Sequence, residues 1–210
     1  MKWFPRILLT RMEGACVTDL KPITALGASS ARVQSMGSLT LCETPDLAFA
    51  SLALRRGQGV PTPFGLALPQ AGGFVGQNGL GAFWTGSDQW MLCAEGRGDS
   101  DFAADVRAQA PGCSVTEQTD GWAAVDVTVA DDAQMQTLLA KLVNLNPEFL
   151  SPGHATRTGL HHMTVFVVRP NTTQLRVIGM RSLADSLWHT LATTAKRLGV
   201  SSRPQAQSPN

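Results

Sequence analysis

Apolar residues in this chain fall into short blocks divided by glycine, proline and charged residues, and the spacing inside each block separates strands from helices. Arg32 to Cys42 reads as extended. From Thr44 to Arg56 the punctuation predicts a helix. Thr44 can cap it, Pro45 fits the first turn and Asp46 faces the positive end of the dipole. Arg55 and Arg56 fall in the last turn, and Gly57 provides the stop. Gly57 to Gly73 holds Pro61, Pro63 and Pro69 and reads as a long ordered loop. Phe74 to Cys93 places apolar runs on either side of Thr85-Gly86-Ser87-Asp88, whose residues suit a hairpin turn. Ser100 and Asp101 open a further helix, which Pro111 and Gly112 close.

The second half runs in a similar order. Val115 to Val129 is strand-like, interrupted at Asp120-Gly121. A helix follows from about Asp131, with Met135, Leu138, Leu139, Leu142 and Val143 on one face and Asp131 and Asp132 at its dipole-matched start. Arg157 to Arg169 predicts one strand, Pro170 to Thr173 a turn, and Leu175 to Met180 the returning strand. Ser182 and Asp185 suggest a capping box for the last helix, with Leu183, Leu187, Trp188 and Leu191 on its apolar side. Each half thus predicts strand, helix, hairpin, helix. The fold class is α+β, with two units at about 28–112 and 113–200 whose sheets face one another or exchange strands across one core.

Composition narrows the function classes. At 210 residues the chain suits one large domain or two small ones sharing a core. It carries 17 Lys and Arg against 16 Asp and Glu, so bulk electrostatics attracts neither nucleic acid nor an anionic membrane. Charged residues make up 16%, below the roughly 25% of ordinary soluble domains. That leaves extra apolar surface to cover, as in a chain with a permanent partner, and a compact neutral monomer fits as well. Cys16, Cys42, Cys93 and Cys113 lie far apart without a Cys-x-x-Cys pair, which suits buried free thiols in a reducing cytoplasm. No apolar run approaches the ~20 residues of a membrane-spanning helix. Arg6 and Arg11 interrupt the apolar start, so residues 1–18 are expected to be disordered or to precede a true start at Met12. Residues 201–210 are expected to be an unstructured tail.

Candidate chemistry is sparse. His161 and His162 are adjacent, and on a strand they would point to opposite faces and could not grip one metal. Ser87 lacks a Gly-x-Ser-x-Gly setting, and the run GGFVGQNGLG precedes a strand rather than a helix, so it reads as a glycine-rich entry to a hairpin. Neither catalytic nor cofactor-binding nor metal-ligating residues are assigned. Four residues stand out as interface candidates: Trp84, Trp90, Arg157 and Arg181. The two tryptophans flank the first hairpin and are either core or strong anchors for a partner. Arg181 precedes a helix N-terminus, where a cation is disfavoured by roughly 0.3–1 kcal/mol. Solvent, a carboxylate of a neighbouring subunit or an anionic ligand would offset that. Arg157 and Arg169 share the interest on charge grounds.

Several blocks taken together resemble one family. GWAAVDV, AKLVNLN, PGHATRTGLHHMTVFVVR and LRVIGMRSLADSLWHTL, followed more loosely by KPITALG, TPDLAFASLALRRGQ and FWTGSDQWMLCA upstream, are similar to the gamma subunit of heterotetrameric sarcosine oxidase, a relative of the folate-binding aminomethyltransferases. The resemblance covers roughly residues 19–200, which are expected to form one folate-binding-fold domain. It implies a cytoplasmic complex of alpha, beta, gamma and delta chains that oxidatively demethylates sarcosine to glycine and hands the one-carbon unit to tetrahydrofolate. FAD, FMN, NAD, zinc and tetrahydrofolate would belong to the other subunits. The implied role of this chain is non-catalytic, forming walls of a cavity rather than carrying reactive groups. A stand-alone folate-dependent aminomethyltransferase, or a folate-binding module, is the alternative. Against the transferase, Glu13, Asp19, Glu43 and Asp46 lack the Asn-Asp setting of those enzymes, and the chain is short for their additional barrel.

Overall fold

The structure is a computed structural model that describes residues 21–201. The expectations for residues 1–18, for Cys16 and for residues 202–210 lie outside the described residues.

Eleven strands and three α-helices are described. The strands are β1 (Val33–Met36), β2 (Leu39–Glu43), β3 (Ala48–Leu54), β4 (Phe74–Gln77), β5 (Leu80–Gly86), β6 (Gln89–Ala94), β7 (Cys113–Glu117), β8 (Trp122–Thr128), β9 (His154–Leu160), β10 (Met163–Arg169) and β11 (Gln174–Met180). The helices are α1 (Phe102–Gln109), α2 (Asp132–Leu142) and α3 (Ala184–Ser201). The fold is therefore mixed, with two antiparallel sheets. One has six strands in the order β1-β2-β8-β11-β10-β9, the other five in the order β4-β5-β6-β3-β7. Among the described residues, no helix is long and apolar enough to cross a membrane.

Period-two burial decides how the layers stack. Along β8, Val125 and Val127 join a cluster with Met135 and Leu138 of α2 and Leu187, Trp188 and Leu191 of α3. Ala124, on the opposite face, joins Phe166 and Ile178 and meets Phe49, Phe83 and Met91 of the other sheet. On the far side of that sheet, Ala50, Leu52 and Leu92 pack on Phe102 and Val106 of α1 and on Leu66 of the proline-rich loop. Helices, six-stranded sheet, five-stranded sheet and α1 with the loop thus form successive layers around three cores. The two sheets are also joined along one margin. Phe74 donates its N–H to Gly153 (2.8 Å) and Ala155 to Gly72 (2.9 Å), between the starts of β4 and β9.

The predicted helix from Thr44 to Arg56 is instead the strand β3. Alanine and leucine favour a helix locally, but here the segment lies between β6 and β7 with both faces covered, and tertiary burial outweighs propensity. Its punctuation marks turns instead. Leu47 N–H bonds Thr44 O, Gln58 N–H bonds Arg55 O, and Asp46 O receives the amides of Arg97 and Gly98. Arg32 to Cys42 is a hairpin that reverses at Gly37, at φ 64°. Arg157 to Arg169 is likewise two strands, β9 and β10, which reverse at His161-His162. The α1 and α2 starts agree with expectation: Asp101 accepts the Ala104 amide and Asp131 the Gln134 amide. α3 departs from it. The helix continues from a 3-10 turn, Arg181–Leu183, whose cap position is Met180 and has no side-chain cap, and Leu183 is exposed.

Candidate functional site

Two apolar strands each carry a single charge on the face that looks toward the other sheet. In β8 it is Asp126, and in β11 it is Arg176, its direct cross-strand partner. Each lies two residues from an inward-facing residue of its strand, Asp126 after Ala124 and Arg176 before Ile178. Arg176 donates through Nε to Asp126 Oδ1 at 2.6 Å and through Nη2 to Asp126 Oδ2 at 2.7 Å. A third member, Glu95, comes from just beyond β6 in the other sheet and accepts from Arg176 Nη2 at 3.1 Å. The trio therefore closes one end of the apolar inter-sheet layer and ties the two sheets together.

Electrostatics in the trio follows from burial. The Arg176 side chain is 13% exposed. Burial works against its cation, and the paired hydrogen bonds and charge of Asp126 override that, holding its proton more tightly than in an ordinary arginine. Cys93 lies behind it, fully buried. Burial pushes its thiol up to about 11, only partly opposed by the Arg176 charge, so at neutral pH it stays a thiol and not a nucleophile.

Two clefts meet at this cluster. One of about 580 Å³ is lined by Gln77, Asn78 and Gly79 of the β4–β5 turn, with Thr128, Asn171 and Gln174 opposite. The second, of about 350 Å³, is lined by Ala31, Thr44, Pro45 and Asp46. Glu95, Asp126 and Arg176 border both. Amides, carboxylates and a guanidinium around such a space can hydrogen-bond a polar heterocycle or a partner's backbone. The run GGFVGQNGLG, expected to lead into a hairpin, is itself the β4–β5 hairpin, turning at Asn78-Gly79, both at positive φ.

Sequence reasoning missed this trio. A usable signal existed: one acid inside AAVDVTV and one arginine inside LRVIG, each the lone charge of a largely apolar strand. Their partnership depends on the β8–β11 register, which the chain order alone does not give.

The four interface candidates fall in separate places. Trp84 and Trp90 pair across β5 and β6 on the α1 side. Trp90 is 5% exposed and donates Nε1–H to Pro69 O at 2.8 Å, so it belongs to the core and offers a partner no surface. Trp84 is half-buried against the same cluster. Arg157 is exposed on β9 and stands over the Phe166 ring at 6.0 Å. Arg181 is half-buried at the far end of β11 and donates Nη2–H to Ile23 O at 3.2 Å. Arg169 is structural: wholly buried, it donates to Leu150 O at 2.8 Å and to Asn171 O at 3.3 Å, and pairs with Asp132 at the start of α2. His161 and His162 sit at the β9–β10 turn rather than within a strand, and they line a groove of about 590 Å³ with Asp185 and His189 of α3. Among the described residues, no three His, Cys, Asp or Glu side chains are grouped to hold a metal ion.

No protein-family profile matches the chain, and no curated protein matches it. Solved structures do. A chain of the heterotetrameric sarcosine oxidase from Corynebacterium sp. U-96, in complex with pyrrole 2-carboxylate, superposes with a TM-score of 0.62 at 18% identity, covering 83% of this chain and 91% of that one. Glycine cleavage system aminomethyltransferase T from Bartonella henselae superposes with a TM-score of 0.56 at 14% identity, covering 77% of this chain. The chain spans about half of that transferase, 49% of its length. At these identities the likeness is one of fold, the fold that the sequence blocks resemble.

Proposed function

We propose that this chain is a gamma-type subunit of a heterotetrameric sarcosine oxidase, a non-catalytic part that helps enclose the path of the one-carbon unit to tetrahydrofolate. The observation that carries the reading is one of extent. The chain spans 91% of a chain from such a complex but only 49% of the transferase of related fold. In this reading alpha, beta and delta chains are its partners, and FAD, FMN, NAD, zinc and tetrahydrofolate are held by them, in the cytoplasm. Residues 19–200 act as one domain built from a duplicated unit. Strand order supports the duplication: β4-β5-β6-β3-β7 runs parallel to β9-β10-β11-β8-β2, and each three-stranded meander leads into a helix, α1 or α3. The pieces exchanged are the β1–β2 hairpin and β7, each lying in the sheet of the other half.

The test is co-expression with the chains encoded alongside it, followed by size exclusion. Elution with a flavin-absorbing species that consumes oxygen with sarcosine is the expected result. Flavin or sarcosine-dependent oxygen uptake in the isolated chain overturns it.

A second reading, a folate-binding module or stand-alone transferase, draws on the 580 Å³ cleft and its Glu95–Asp126–Arg176 border. A lone peak near 22 kDa that binds tetrahydrofolate in calorimetry favours that reading.

A further inference from the structure

We infer that the surface around the start of α3, formed by Ile23, Met180 and Leu183 about Arg181, is a docking site for a partner chain that lays apolar side chains on it and brings a carboxylate to Arg181. This rests on the assembly reading and names the face it uses. The first ground is the concentration of apolar surface. Among the described residues, six large apolar side chains are exposed, and three of them, Ile23 (61%), Met180 (52%) and Leu183 (36%), gather here. Arg181 Nη2 on Ile23 O fixes the 23 segment against the 181–183 turn.

The second ground is continuity with the core. Met180 follows Ile178 on the inward face of β11 and pairs with Trp122 of β8, itself half-buried against the inter-sheet cluster. At the opposite end of β11 that layer is closed by Asp126, Arg176 and Glu95. At this end the apolar face runs out to Met180, 52% exposed, and none of the described residues closes it. An open end of a core, not an isolated exposed side chain, is what a partner covers.

The third ground is charge. Among the described residues Arg181 makes one hydrogen bond, to a carbonyl, and no carboxylate pairs with it, although Asp120 and Asp185 lie on neighbouring turns. A guanidinium has five N–H donors, so most remain to offer. Desolvating it beneath an apolar partner requires an anion, and a partner carboxylate supplies one bidentately. The chemistry is thus of a mixed apolar and acidic surface.

Met180→Asp and Arg181→Glu, each co-expressed with the chains encoded alongside, test the site, with Val60→Asp and Phe149→Asp as exposed apolar controls on other faces. The expected result is at least ten-fold weaker co-elution for the first pair, wild-type co-elution for the controls, and thermal midpoints of all four isolated chains within a few degrees of wild type. If wild type co-elutes and both patch variants do so equally well, the docking surface is overturned while the assembly reading stands. If wild type does not co-elute, both fall. A concentration-dependent dimer of the isolated chain that Met180→Asp abolishes would give the face to a second copy and overturn the hetero-partner.

Discussion

A single arginine shows how a charge becomes structural. Arg169 ends β10 with its guanidinium wholly buried, and its bonds reach the turn before β9, the turn after β10 and the first turn of α2. Three separate segments therefore depend on one side chain. Arg169→Leu fills only part of the space and leaves the Leu150 carbonyl without its donor, so a loss of about 3 kcal/mol is expected in urea unfolding. Asp132→Asn should cost less, since that carboxylate is 52% exposed and its pairing is screened. Glu117 gives a pH signature. Burial acts to raise its carboxyl, but hydrogen bonds from the Thr119 hydroxyl and from the amides of Thr119, Ala103 and Gln118 outweigh that and hold it below the usual carboxylate range. A depressed folded value means the carboxylate adds stability above its unfolded value and loses it as pH falls through the folded one. Glu117→Gln should therefore lower the thermal midpoint at pH 7 and flatten its decline in acid; equal losses at pH 7 and pH 3 would remove the carboxylate from the account.

Between elements, turns matter more than propensity. Asn78-Gly79 and His161-His162 each reverse a hairpin, and Asn78 and His161 both take positive φ, 51° in each case. Asparagine, whose short side chain bonds locally, takes that region more readily than histidine does. His161→Asn should stabilise the chain by about 0.5–1 kcal/mol, a rise of ~2 °C in calorimetry. An unchanged or lower midpoint would mean that the imidazole makes a compensating contact in the groove beside His189. The same turn explains what the chain order hid. Without a glycine or asparagine at 161–162, β9 and β10 read as one long strand, and Ala48 to Leu54 read as helix because nothing local reveals that β6 and β7 will flank it. Where the signal is local, as at Asp101 and Asp131, helix starts are legible to the residue. The Asp126–Arg176 pair lies between these cases. Each charge stands out in its own strand, but only the fold joins them. Arg181 stood out on different grounds, as a cation just before a helix N-terminus, and its carbonyl partner, Ile23, is far away in sequence.

The strand exchange sets how the whole molecule fails. β1 and β2 lie in the six-stranded sheet with the later strands, and β7 lies in the five-stranded sheet with the earlier ones, so each sheet is completed by strands from distant parts of the chain. The inter-sheet layer adds to this. The Phe166 ring stands 5.2 Å from Phe83 of the opposite sheet and 5.3 Å from Trp122, tilted to both, so it touches both walls of the core. Two domains joined by a linker would unfold in two steps, whereas a shared layer with exchanged strands couples all the losses. Phe166→Ala removes the ring from that layer and should cost about 3–5 kcal/mol. Tryptophan fluorescence and far-ultraviolet dichroism should then report one coincident transition, moved to lower denaturant in the variant with its slope kept. Two separated transitions, in wild type or variant, would mean that the halves hold their sheets independently and that the exchanged strands bind them only loosely.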